Sequence, residues 1–72
     1  MAKLATELEE IARAGGGLSL DATQYSTPDL QFIGRAASSY GVTIVLRQAA
    51  AKTTADLKAI AQASPGNFVF EL

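Results

Sequence analysis

The sequence predicts an α/β fold. It is a two-layer domain of three helix–strand units, solenoid-like, whose three strands pair mainly in parallel in the order 1-2-3 with the helices on one face. Three observations predict it. Val42 to Leu46 is the longest uninterrupted β-favouring run and is apolar enough to be the central strand. Three helical stretches agree position by position: Leu8, Leu30 and Leu57; Ile11, Ile33 and Ile60; Ala14, Ala36 and Ala63. Three short segments that follow them also align, with Leu18 and Leu20, Ile44 and Leu46, and Phe68 and Phe70 in equivalent places. The leucines of the helices lie 22 and then 27 residues apart, periods at which each unit buries its apolar face only against its neighbours. The units run over about 2–22, 27–48 and 54–72 and form one domain over 1–72. Strands joined by a crossover helix pair in parallel, and crossovers are right-handed in nearly all cases, so the helices share a face. A 2-1-3 order is the alternative.

Taken in order, Lys3 to Ala14 carries Leu4, Leu8 and Ile11 at helical spacing, with charged residues on the other faces. Thr6 with Glu9 has the form of a capping box, and Glu9 with Arg13 that of an i,i+4 ion pair. Gly15, Gly16 and Gly17 close this helix. They do not form a phosphate loop, because such loops run strand, glycines, helix N-terminus, whereas here the glycines face the carbonyl end of a helix. Leu18 to Ala22 alternates apolar and polar residues as a half-buried strand does. Ser26, Pro28 and Asp29 supply a capping hydroxyl, a first-turn proline and an acid suited to the helix dipole. The helix they begin buries Leu30, Ile33, Ala36 and Ala37 and ends before Gly41. After the central strand, Gln48 to Thr54 reads as a loop, and Thr53 or Thr54 with Asp56 repeats the cap. The third helix buries Leu57, Ile60 and Ala61, the segment Ser64 to Asn67 stops it, and Phe68 to Leu72 is the last strand. Gly34 falls where the other helices carry alanine, which predicts a close approach between backbones.

The Leu-x-Leu spacing of these strands resembles that of leucine-rich repeats. That family's asparagine ladder has no counterpart, since Thr23 and Ala49 stand near its position, and the chain is not assigned to the family.

Composition narrows the function classes. At 49% hydrophobic and 18% charged the chain is globular, and at 72 residues it holds one small core. It has neither cysteine nor histidine, so disulfides are excluded, as is a Cys/His zinc site. The net charge is −1 and the basic residues are scattered singly, a pattern unlike that of a nucleic-acid binder. No segment is long enough to span a membrane, the N-terminal segment lacks a signal-peptide core, and a cytoplasmic location is expected. No cofactor is expected.

Three placements of chemistry follow from the strand alignment. The helix-facing row leaves Asp21, Val45, Arg47, Val69 and Glu71 on the open side of the sheet, with Arg47 between Asp21 and Glu71 and within ion-pair reach of one of them. The first reading is a non-catalytic protein-interaction or self-associating module. It uses that open face or the outer edge at Phe68 and Phe70, where neither lysine nor proline discourages pairing, as a homodimer or with a protein partner. The second is a small anionic ligand held by Arg47. The third is an enzyme using Asp21, a carboxylate at the C-terminal end of a strand.

Overall fold

Each helix begins where the sequence supplies a partner for its first amide groups. The fold is described from a computed structural model covering residues 3–72, so the first unit's expected start at residue 2 lies outside the described residues. Helix α1 spans Ala5–Arg13, and the Glu7 carboxylate accepts a hydrogen bond from the Leu4 amide at 3.0 Å. Helix α2 spans Thr27–Tyr40, with the Ser26 hydroxyl accepting from the Asp29 amide at 3.4 Å. Helix α3 spans Thr54–Ala63, with the Thr53 hydroxyl accepting from the Asp56 amide at 3.2 Å. Of the two forms open to the first helix, the Glu9–Arg13 ion pair is the one adopted.

The strands are β1 (Leu18–Asp21), β2 (Ile44–Arg47) and β3 (Phe68–Phe70), parallel and in the order β1-β2-β3. Their register sets Ile44 between Leu18 and Phe68, Val45 between Ser19 and Val69, and Asp21 beside Arg47. The molecule measures 30 × 28 × 18 Å. The short dimension matches one helix layer and one sheet, about 10 Å each.

The core lies between those layers. Leu30, Ile33, Ala37, Ile44, Leu46 and Ile60 are fully buried, joined by Leu8, Ala12 and Leu20. Two hydrogen bonds link distant segments: the Tyr25 hydroxyl donates to the Lys3 carbonyl at 2.8 Å, and the Gln31 side-chain amide of α2 to the Ala59 carbonyl of α3 at 3.3 Å.

Several expectations are corrected. Ile11 does not follow Ile33 and Ile60 into the core and is 37% exposed, while Leu4 lies outside the helix and is exposed. The buried stripe of α1 is Leu8 and Ala12, and Ile11 instead packs over the glycine link. A Cβ built on Gly16 would stand 2.9 Å from an Ile11 methyl group. Leu57 is only half-buried, because α3 has a helix on one flank and none on the other. Ala36 and Ala61 are also half-buried. The close approach at Gly34 is made by side chains, since an added Cβ would meet the Phe68 ring at 2.7 Å and the Ser64 Cβ at 3.1 Å.

The central strand begins two residues later than expected. Gly41, at φ 67°, ends α2 in the left-handed conformation, and the Val42 amide still donates back to the Ala37 carbonyl, so Val42 belongs to the helix end. Two single 3-10 turns, Ala22–Gln24 and Ala49–Ala51, occupy segments read as strand end and loop, and they contact each other below the sheet's C-terminal edge. Strand β3 is shorter than expected. The Glu71 amide still donates to the Leu46 carbonyl at 2.9 Å, and the Ala49 amide to the Glu71 carbonyl at 3.0 Å.

Candidate functional site

The helices cover one face of the sheet, and the residues left on the other are those that the alignment singles out. Ser19, Val45 and Val69 form one row across it, with Val45 half-buried and Val69 49% exposed. Asp21 and Arg47 form the next, and Glu71 follows one residue beyond β3. Register therefore brings Asp21 and Arg47 to neighbouring positions, but it does not pair them. The Asp21 Oδ1 accepts from the Thr23 amide at 2.8 Å and from the Thr23 hydroxyl at 2.6 Å, which caps the 3-10 turn. Among the described residues the one ion pair is Glu9–Arg13. The expected ion pair of Arg47 with Asp21 or Glu71 is thus corrected. Two short local hydrogen bonds orient the carboxylate better than an exposed guanidinium one strand away does. The same contacts hold the Asp21 pKa below its ordinary value near 3.8, the Thr23 hydroxyl first and the Thr23 amide next, with the Arg47 charge a smaller influence.

Phe68 and Phe70 point their rings to the helix side, where they stack with centroids 5.8 Å apart. Their backbone has a different direction. Asn67 and Glu71 turn their backbone groups toward β2, as the Ile44 amide donating to Asn67 and the Glu71 amide donating to Leu46 attest. The alternation of a parallel ladder then directs the N–H and C=O groups of Phe68 and Phe70 to the outer edge. Asn67 also anchors the start of β3, its side-chain amide donating to the Val42 carbonyl at 2.9 Å.

A second feature was not anticipated. On the outer side of the helix layer a groove of about 340 Å³ runs between α1 and α2. Ala36 and Ser39 lie in it between Phe32 and Tyr40, with Arg35 from α2 and the Glu9–Arg13 pair from α1. Phe32, Arg35, Ala36, Ser39 and Tyr40 recur at three- and four-residue spacing on the α2 face turned away from the sheet. That spacing is visible in the sequence, although Ala36 there falls on the stripe expected to be buried.

Among the described residues no cluster of acids could hold a metal ion, and no helix is long and apolar enough to cross a membrane. Comparison with protein-family models, curated proteins and solved structures finds no match to this chain.

Proposed function

We propose that the protein is a non-catalytic interaction module that self-associates through the outer edge of β3. The observation that carries this is the direction of the Phe68 and Phe70 backbone groups, which leave β3 with an unused hydrogen-bonding edge among the described residues. That edge is also apolar: Val69 is 49% and Leu72 83% exposed, and no lysine, proline or bulge interrupts it.

A two-fold axis through Phe70 satisfies this edge with a second copy. The two β3 segments run antiparallel, Phe70 exchanges both hydrogen bonds with its counterpart, and Phe68 does so with Leu72 of the other copy. The helices of both copies then share one face of a six-stranded sheet. On that face the half-buried Phe68 ring covers the exposed Leu72 side chain opposite. So short a strand buries less than a permanent interface does, and the dimer is weak, with a Kd roughly in the micromolar to millimolar range.

Sedimentation over a concentration series tests this, together with hydrogen exchange. Leu72→Pro removes an outward N–H that β2 does not use and should raise the dimer Kd by at least about tenfold while leaving monomer stability unchanged. A strict monomer up to about 1 mM, with Phe68 and Phe70 amides exchanging at the same rate throughout, would overturn the proposal.

A further inference from the structure

We propose that the groove between α1 and α2 binds a small planar carboxylate carrying a single aromatic ring. This goes beyond the reading of the β3 edge and uses other residues.

The charges select the sign and size of the ligand's charge. Arg13 is neutralised by Glu9, whose side chain is only 12% exposed and fixed at the groove. Arg35 makes no ion pair and no side-chain hydrogen bond within the described residues. The walls therefore carry one uncompensated positive charge, in the form of a guanidinium whose fork matches a carboxylate. A single guanidinium beside a glutamate suits a monoanion and disfavours a phosphate dianion. The Ser39 hydroxyl donates to the Arg35 carbonyl at 3.1 Å, so its proton is already used and the guanidinium is left to hold the anion.

The apolar walls select the rest of the ligand. Phe32 and Tyr40 are 41% and 54% exposed, the largest aromatic surface this helix leaves in water. They stand eight residues apart, about 12 Å along the helix axis, with the small side chains of Ala36 and Ser39 between them. A single ring resting on Ala36 and Ser39 fits that interval, shields both aromatic side chains and places its carboxylate against Arg35. The volume of about 340 Å³ is at the lower end for ligand sites, which run from about 300 to 1,000 Å³, and favours a one-ring ligand over a nucleotide.

Benzoate is the probe, titrated into the isotope-labelled protein and followed by amide and arginine Nε shifts. Saturable shifts centred on Phe32, Arg35 and Ser39 are expected, with a Kd roughly in the millimolar range for so small a molecule. Arg35→Gln, an exposed substitution that should leave the fold intact, should weaken binding about tenfold, and benzyl alcohol should bind the wild type about as weakly as benzoate binds the variant. Acetate should not saturate. The proposal is overturned if benzoate fails to saturate, if it binds Arg35→Gln as well as wild type, or if its shifts centre on Arg47. Equal binding of benzyl alcohol and benzoate, or saturation by acetate, also overturns it.

Discussion

At the scale of single residues, short-range hydrogen bonds decide what the sheet register leaves open. The placement of Asp21 beside Arg47 was legible in the sequence because equivalent positions of a repeat fall in register. The ion pair was not formed, because Thr23 stands two residues away and offers both an amide and a hydroxyl. This has a pH consequence. The folded-state pKa of Asp21 is depressed, so the stability linked to it is present above the ordinary carboxylate value near 3.8 and is lost as pH falls through and below it. Thr23→Val should raise the Asp21 pKa toward 3.8 in a carboxyl-detected NMR titration and should flatten the fall of stability below that pH. An unchanged Asp21 titration would show that the amide alone, or Arg47, sets it. Gly34 illustrates a different limit: the sequence showed that its slot is small, but only the packed structure shows that the Phe68 ring and Ser64 fill it.

Among the elements, the helices and strands were legible wherever a cap or an alternating pattern marked them. Ser26 and Thr53 both cap as read, and Gly41 ends α2. The two 3-10 turns were not legible, since alanine-rich segments such as Ala49–Ala51 suit a helix, a turn or a loop equally. Equal sequence positions also do not ensure equal burial. Ile33 and Ile60 are enclosed, yet Ile11 is 37% exposed and turns toward the glycine link, where a Cβ on Gly16 would stand 2.9 Å from its methyl group. Burial therefore ranks the repeat's leucines. Leu46→Ala, in the fully buried central strand, should cost about 2–5 kcal/mol in urea melts. Leu57→Ala, in half-buried α3, should cost about 1–2 kcal/mol. Equal losses would show that the third unit packs as tightly as the second.

For the whole molecule, layer count and strand order followed from the repeat, whereas the groove between α1 and α2 did not. Its parts lie on two helices whose crossing depends on which side chains are small at the seam, and no single segment specifies that. The main contacts run α1 to α2, α2 to α3, β1 to β2 and β2 to β3. The middle unit is thus supported on both sides and the outer ones on one. Hydrogen exchange should accordingly be slowest at Ile44 and Leu46 and faster in the two outer units. Uniform protection across the three units would instead indicate a single cooperative transition.

The order of those contacts also bears on how the chain acquires its shape. Position in space copies position along the polypeptide, so no later segment has to be inserted between earlier ones. The contacts of α1 with α2 and of β1 with β2 are all made within the first two units and do not involve α3 or β3. The third unit packs onto Gly34, Leu46 and the Val42 carbonyl, all supplied by the second. Its closing step is a parallel crossover that brings Phe68 beside Ile44 and Phe70 beside Leu46, and the span it closes is shortened by α3, which forms from local contacts.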